Sequence, residues 1–256
     1  MKLWEDLEHE LDRWHQNGLS ATFWWRDDDA IDVTDSSDRL IGISKDYGIS
    51  LGLAVIPRFS TARLRKRLRT EASIHVLQHG YDHSNHTPPG YAKAEFGFWR
   101  DLEAQIGELR RGLFILRDFE GFLPVLVPPW DMIDSRLMPM LPGIGIKYIS
   151  GIGLKQNSAN AQENIATINA HFDVVDWKKG GAASEGVILT TILWYLYARR
   201  EGKIASDEAT GILTHHLVHD EETWASITKL LAFLTRHPAV SWVSPATLFH
   251  TGARKD

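Results

Sequence analysis

Three of the twelve histidines of this chain lie within nine residues, Gln78-His79-Gly80-Tyr81-Asp82-His83-Ser84-Asn85-His86. The apolar run at residues 74–77 precedes them and predicts a buried strand. His79 and His83 are four residues apart, so one helical turn after that strand would place both imidazoles on the same side. Two converging neutral imidazoles supply two of the three protein ligands of a catalytic zinc site, and a carboxylate can supply the third. Taken alone, the spacing also fits a polar loop whose histidines face water.

The composition excludes several classes of protein. A net charge of −5 argues against nucleic acid as a partner, because nucleic-acid binding requires a basic surface. The chain has no cysteine, so it can form neither a disulfide framework nor a thiolate metal site. Any metal ion must therefore bind to nitrogen and oxygen ligands.

No segment of the sequence predicts membrane insertion or export. The first eight residues are too acidic for a signal peptide. The longest apolar run, residues 187–198, falls short of the roughly 20 residues that a membrane span needs. The sequence therefore predicts a cytoplasmic protein with no membrane partner, and it contains nothing that fixes an oligomeric state.

Helical and strand patterns alternate along the chain. Amphipathic spacing predicts helices at 2–16, 35–47, 58–69, 95–117, 184–200 and 221–236. Short β-branched and apolar runs predict strands at 21–26, 51–56, 73–78, 122–127, 147–150, 172–175, 211–214 and 240–243. This order indicates an α/β protein with parallel strands and crossover helices, either closed as a barrel or open as a doubly wound sheet. With no repeat and no linker, residues 1–256 are predicted to form a single domain.

Polar clusters follow five of the predicted strands. They are Asp27-Asp28-Asp29, His79 to His86, Pro128-Pro129-Trp130-Asp131, Asp173 to Trp177, and Thr214-His215-His216. The carboxyl ends of parallel strands lie on one side of the fold, where active sites are assembled. We therefore expect the five clusters to form one site.

The residue types in these clusters suit metal-assisted hydrolysis of an acyl bond. A carboxylate from residues 27–29 can join His79 and His83 on a divalent ion, and a neighbouring carboxylate can act as general base. His215 or His216, from another strand, can protonate the leaving group.

These motifs resemble the polysaccharide deacetylases, carbohydrate esterase family 4, over residues 23–216. The resemblance implies a distorted (β/α) barrel of about seven parallel strands. It also implies the following roles: Asp28 as catalytic base, Asp29, His79 and His83 as metal ligands, Pro128-Pro129-Trp130 as a groove wall, and His215 as general acid. Asp27 remains an alternative to Asp28, because a run of three aspartates leaves the register open by one residue.

The sequence departs from the family pattern at several positions. Val127 stands where the family has an arginine that orients the base. Arg26 lies two residues before Asp28, on the same side of an extended strand, and could replace that arginine. Ala30 replaces the usual glycine after the aspartate pair. His216 replaces the usual aspartate after the acid, so the choice between His215 and His216 stays open.

The resemblance implies removal of an acyl group, chiefly acetyl, from a carbohydrate or carbohydrate precursor. Trp130, Trp177 and Tyr81 are candidates for stacking on a sugar ring, and Arg26 and His216 for further substrate contacts. Zinc is the first choice of metal for two imidazoles and one carboxylate, and cobalt, manganese or nickel could replace it. Two alternatives remain: an amidohydrolase of the same fold acting on a small non-sugar amide, and an inactive carbohydrate-binding module.

Overall fold

A sheet of parallel strands forms the centre of the computed structural model, which describes residues 2–154 and 165–251. The strands are β1 (Ala21–Ala30), β2 (Leu51–Val55), β3 (Ile74–His79), β4 (Phe122–Val127), β5 (Tyr148–Ile149), β6 (Ala166–Thr167), β7 (Phe172–Asp173), β8 (Val175–Asp176), β9 (Gly181–Ala182), β10 (Thr210–Thr214) and β11 (Val240–Trp242). Eight of them follow the order β6-β5-β4-β3-β2-β1-β10-β7, and β11 pairs in parallel with the first residues of β1. The sheet curls into a half-barrel, so the predicted distorted (β/α) barrel is confirmed, with eight strands in its main path instead of about seven.

Helices cover the sheet and carry the chain between parallel strands. They are α1 (Lys2–Gln16), α2 (Asp35–Tyr47), α3 (Ala62–Leu68), α4 (Leu102–Leu116), α5 (Leu141–Ile144), α6 (Glu185–Arg200), α7 (Glu221–Arg236) and α8 (Pro245–Thr251). Local sequence explains their ends: Thr34 and Ser37 form a capping box at the start of α2, and Gly48 closes it in the left-handed conformation. Amphipathic spacing explains their packing, since α1 buries Leu7 and Leu11 against the core.

Both faces of β1 are buried, as expected for a central parallel strand. Phe23 and Trp25 pack into the large apolar cluster beneath the helices, whereas Trp24 packs into a second cluster on the other side. Side chains alternate along a strand, so this pattern fixes the sides that the following polar residues face. Asp27 lies on the side of Trp25, and Asp28 lies on the side of Trp24.

Four predicted elements differ from the structure. The strand predicted at 172–175 divides into β7 in the main sheet and β8, which pairs with β9 in a separate two-stranded sheet. The strand predicted at 21–26 continues to Ala30, so the three aspartates belong to β1. The basic segment 58–69 divides into a 3₁₀ turn at Pro57–Phe59 and the helix α3. The helix predicted to begin at residue 95 begins at Leu102, because the side chain of Asp101 caps it there.

Within the described residues, every helix is too short or too polar to cross a lipid bilayer.

Candidate active site

A pocket of about 400 Å³ lies at the carboxyl ends of the parallel strands. Its lining residues are Arg26, Asp28, Asp29, His79, His83, Pro128, Trp130, Asp131, Ile152, Asp173, Trp177, Leu213 and His215. Each of the five polar clusters contributes at least one of them. Charged and titratable side chains from strands far apart in sequence therefore meet in one concave site.

Asp29, His79 and His83 converge at one point in this pocket. The Oδ1 atom of Asp29 lies 3.0 Å from His79 Nε2 and 3.4 Å from His83 Nε2. Among the described residues, these three form the one group whose ligand atoms all lie within 4.8 Å of one another. The arrangement is a set of two imidazoles and one carboxylate, which divalent transition metals favour.

The hydrogen bonds around His79 fit a cation at this point. Its Nδ1 lies 3.0 Å from the carbonyl oxygen of Val127, which can only accept, so Nδ1 carries a proton. In the neutral imidazole Nε2 then has a free lone pair, yet it faces the carboxylate of Asp29. Asp29 Oδ1 is buried and accepts no well-aligned hydrogen bond. A cation between these two acceptors would satisfy both of them.

The charges of the three residues agree with this reading. Burial raises the pKa of Asp29, but His79, with His215 and His83 nearby, outweighs burial and holds that pKa below its ordinary value. Burial, with His79 beside it, lowers the pKa of His83, which favours the neutral imidazole that a metal requires. Burial also acts to lower the pKa of His79, but the neighbouring aspartates raise it overall. The negative charge that raises the pKa of His79 would also favour a cation at this point.

The loop after β3 is not the helical turn that the spacing of His79 and His83 predicted. Gly80 and His83 both adopt the left-handed conformation, with φ of 57° each. A Cβ atom on Gly80 would lie 1.9 Å from Glu95 Oε2 and 2.7 Å from Pro129 Cγ, so only glycine fits there. Two left-handed residues, and not a helix, bring His83 back towards His79.

Backbone strain is concentrated in this pocket. Among the described residues, the non-glycine residues with positive φ are Asp29 (72°), His83 (57°), Trp130 (55°) and Asp131 (57°). All four line the pocket. Such conformations cost on the order of 1–3 kcal/mol each and persist where the surrounding structure holds them. The contacts around the pocket therefore hold all four residues in conformations that few side chains adopt.

Arg26 holds Asp28 in the pocket through a buried ion pair. Its Nε lies 2.9 Å from Asp28 Oδ1, and its Nη2 donates to Asp28 Oδ2 at 3.1 Å. Its Nη1 donates to the side chain of Ser150 and to the carbonyl oxygens of Ser150 and Gly151. Arg26 lines the pocket as predicted, but most of its donors bond to the protein, so orienting Asp28 suits it better than binding substrate.

Of the two histidines that follow β10, His215 is the one that reaches the pocket. Its Nδ1 lies 3.2 Å from Asp173 Oδ2, which also accepts from Trp177 Nε1 at 2.7 Å. Burial acts to lower the pKa of His215, but Asp173, together with Asp28 and Asp29, raises it to about 9. His215 is therefore protonated at neutral pH, as a general acid must be.

His216 does not face the pocket, contrary to its predicted contact with substrate. Its side chain is 0 % exposed and its Nδ1 lies 2.5 Å from Asp27 Oδ1. Adjacent residues at the end of a strand point to opposite sides, so only one of the two histidines can face the site. For the same reason Asp28, and not Asp27, reaches the pocket.

The predicted aromatic residues divide between the pocket and the protein interior. Trp130 lines the pocket with its ring centroid 4.3 Å from that of His83, and Trp177 lines it with 56 % of its surface exposed. Tyr81 does not line the pocket, because its ring packs against an apolar cluster and beneath the guanidinium of Arg111. A contact of Tyr81 with substrate is therefore not supported.

Sequence reasoning did not single out Glu95, Asp131 or Asp173 as site residues. Asp131 and Asp173 lie in polar clusters that follow strands, so their positions in the sequence indicate that they belong to the site. Glu95 is fully buried beneath the histidine loop, and its Oε1 accepts the backbone N–H groups of Tyr81 and Asp82 at 2.9 and 2.8 Å. No spacing rule connects it to that loop.

Glu95→Gln is expected to stabilise the protein above neutral pH. Burial raises the pKa of Glu95 from 4.5 to about 7, against the two backbone hydrogen bonds that lower it. Such a group contributes fully to stability below its unfolded-state pKa, and the contribution is lost as pH rises through the folded-state pKa. Glutamine cannot ionise and still accepts both N–H groups. We expect a gain on the order of 3 kcal/mol in the free energy of unfolding near pH 8. The gain should vanish at about pH 4, and urea denaturation measures it at both pH values.

Glu71→Gln is the matched control, and it should change the free energy of unfolding in the opposite direction. Burial acts to raise the pKa of Glu71, but Lys45 and Arg67 lower it overall, so its charge stabilises the fold above its ordinary pKa. This variant should lose stability near pH 8. A Glu95→Gln variant that is less stable than wild type at that pH would show that Glu95 holds the loop as a carboxylate.

The half-barrel with a pocket at its strand ends defines an α/β fold that recurs in solved structures. No protein-family model matches the sequence, and no curated protein is similar to it in sequence. A family 4 carbohydrate esterase from Streptococcus mutans has a TM-score of 0.57 and 11% identity over 90% of this chain and 88% of its own. A family 4 acetyl xylan esterase from Clostridium thermocellum, in complex with a cobalt ion, has a TM-score of 0.54 and 11% identity over 90% and 91%. A family 4 carbohydrate esterase from Streptomyces lividans, in complex with acetate, has a TM-score of 0.52 and 17% identity over 89% and 95%.

These similarities concern the fold. The chain shares the fold of the family 4 carbohydrate esterases, as the sequence motifs predicted. At identities of 11–17%, shared fold alone does not carry activity from one protein to another. The function has to be argued from the side chains of the pocket.

Proposed function

We propose that this protein is a metal-dependent hydrolase that removes a small acyl group, chiefly acetyl, from a carbohydrate or carbohydrate precursor. One observation carries the proposal: a three-ligand set, an oriented carboxylate and a protonated histidine line the same pocket. These are the parts needed to activate water, to accept its proton and to protonate a leaving group. The fold shared with carbohydrate esterases favours a sugar as substrate.

Asp29, His79 and His83 are the residues that would hold the metal. Their ligand atoms converge, and the facing acceptors of Asp29 and His79 fit a cation. Zinc suits two imidazoles and one carboxylate best. When bound, such an ion supplies a Lewis acid that polarises the acyl oxygen and lowers the pKa of water.

Asp28 and His215 carry out the proton transfers in this proposal. Arg26 holds the side chain of Asp28 in the pocket, where Asp28 accepts the proton of the attacking water. His215, held protonated by Asp173, donates to the departing amine or alcohol. Trp130 and Trp177 form walls on which a sugar ring can stack. The two proton transfers therefore occur at separate residues: Asp28 is buried against Arg26, and His215 is buried against Asp173.

One feature favours a small non-sugar amide as the alternative substrate. Pro128, Ile152 and Leu213 give the pocket an apolar wall that would also accept a compact apolar acyl compound. An inactive binding module, in contrast, would not need an acid and a base that each have a buried ionic partner.

A substrate panel with the Asp28→Asn variant tests the proposal. With added zinc, we expect wild type to release acetate from acetylated sugars or chitooligosaccharides faster than from small amides. Asp28→Asn should keep its metal and lose about 10²–10⁴-fold in turnover, because general base catalysis contributes that much. Asp118→Asn changes an exposed aspartate outside the pocket and should match wild type. Hydrolysis of small amides only would contradict the substrate class, and no hydrolysis at all would contradict the proposed enzyme.

A further inference from the structure

Asp27, the aspartate of the run that stays outside the pocket, is bonded to His216. Asp27 Oδ1 lies 2.5 Å from His216 Nδ1, and Asp27 Oδ2 accepts the backbone N–H of His216 at 3.0 Å. The hydroxyl of Thr214 also donates to Oδ2, at 2.6 Å, and Trp25 Nε1 donates to that hydroxyl at 2.9 Å. Both side chains of the pair are 0 % exposed. Neither lines the pocket, so neither can touch a substrate.

Each member of this pair is bonded through the chain to a proposed reacting residue. Asp27 precedes the base Asp28 on β1, and His216 follows the acid His215 at the end of β10. The two strands are neighbours, and Asp27 is in register with Thr214. The pair therefore joins the two strand ends directly behind the base and the acid.

The pair also fixes the backbone around His215. The peptide group between His215 and His216 donates its N–H to Asp27. The N–H of His215 itself donates to His219 Nε2 at 3.3 Å. Beyond Thr214 the strand has ended, so without these bonds the peptide groups on either side of His215 would lack a ladder partner.

Stability alone is a weak explanation for the pair. Burying a carboxylate and an imidazole carries a large desolvation cost, and well-packed apolar residues often replace a buried ionic pair without loss of stability. The carboxylate here has three donors, all from β10 or the turn that follows it. Its bonds specify where that turn lies relative to β1.

We propose that Asp27 and His216 are a positioning pair that sets the distance and direction of the acid His215 relative to the base Asp28. This inference rests on the proposed function, in which those two residues transfer protons. It also explains why a third aspartate in the run and a histidine at position 216 occur together in this sequence. Displacing a catalytic group by about 1 Å can cost on the order of 10²-fold in rate.

The test compares His216→Leu with His216→Asn on two substrates. Asparagine keeps an N–H donor near the position of Nδ1, whereas leucine removes it. One substrate is an N-acetyl sugar, whose amine needs protonation, and the other is an activated aryl acetate, whose leaving group does not. We expect His216→Leu to lose about 10–100-fold in turnover on the sugar and less than about 3-fold on the ester. His216→Asn should recover most of the loss, and metal content should be unchanged in both variants.

A double-mutant cycle asks whether the pair acts through His215. In a His215→Ala background there is no acid left to position, so His216→Leu should add less than about a twofold further loss. Glu208→Gln is the matched control. It disrupts the partly buried pair of Glu208 with His171, whose Nδ1 accepts the backbone N–H of Gly211 at the other end of β10. That variant should leave the ratio of the two activities unchanged.

Three results would overturn the proposal: equal losses on both substrates, additive losses with His215→Ala, or no recovery with asparagine. If His216→Leu does not fold, the same measurements are made on Asp27→Asn. If neither variant folds, the pair has a structural role and the proposal is wrong. Wild-type turnover on both substrates is measured first. An inactive wild type contradicts the proposed function itself, whereas an active wild type with proportional losses contradicts only the positioning pair.

Discussion

Replacing both His79 and His83 by alanine is expected to abolish metal binding. The purified wild type should carry close to one divalent ion per chain, and the double variant should carry none, because a single carboxylate, Asp29, would remain of the three ligands. Elemental analysis of dialysed protein measures this directly. The affinity of the wild type should also fall as pH is lowered, since protons compete for the imidazoles.

Two variants act as controls for the metal experiment. His86→Ala removes an exposed histidine of the same loop that lies outside the ligand set, so its metal content should equal that of wild type. Asp28→Asn should also retain the ion, because Asp28 pairs with Arg26 and not with the ligands. An unchanged metal content in the His79→Ala, His83→Ala protein would rule out this site.

His215→Ala is expected to lower turnover by about 10²–10⁴-fold, the usual contribution of a general acid. The metal should stay bound, because His215 is not a member of the ligand set. Substrates with good leaving groups need little help from an acid, so activated esters should lose much less than acetylated amino sugars. Steady-state kinetics on the two substrate types measures the difference. Equal losses on both would mean that His215 does not act as the acid.

The pH dependence of turnover gives an independent check on His215. A general acid works only while protonated, so activity should fall on the alkaline side as pH passes the pKa of His215, which Asp173 and the other aspartates raise to about 9. Asp173→Asn removes the nearest of these charges, so the alkaline fall should move to lower pH. A fall that stays in place in this variant would assign that limb to another group.

Sequence patterns predicted the elements of this fold well where burial follows a regular period. The helix α7 agrees with its prediction at both ends, because its apolar residues keep helical spacing and Asp220 caps it. The run of strand-end polar clusters predicted one shared site, because parallel strands all end on the same side. Both arguments need only local sequence and a general rule of topology.

The helix predicted at 95–117 is wrong over its first seven residues, although the apolar residues there keep helical spacing. Phe98 and Leu102 are at helical spacing, but Phe98 is 66 % exposed and lies in a loop. Glu95, a good helix former, instead turns into the protein beneath Gly80. Tertiary contacts overrode the local pattern here, and a single sequence contains no signal for such contacts.

The choice between adjacent site residues also required the structure. Three consecutive aspartates and two consecutive histidines each leave two possible registers. The pairing of Asp27 with His216 resolves both at once, but it depends on β1 and β10 being neighbours in the sheet. That neighbour relation is a property of topology, and the sequence order of the strands does not reveal it.

The central place of β1 has a consequence for the order in which the site is built. The strands β1, β2 and β3 are neighbours both in sequence and in the sheet, so Asp29, His79 and His83 can meet through contacts between nearby parts of the chain. His215 directly follows β10, which docks on β1 only after most of the chain has been synthesised. Pairing between distant segments is slow, because a long loop must close first. We therefore expect Asp29, His79 and His83 to come together in the nascent chain well before His215 takes its place beside them.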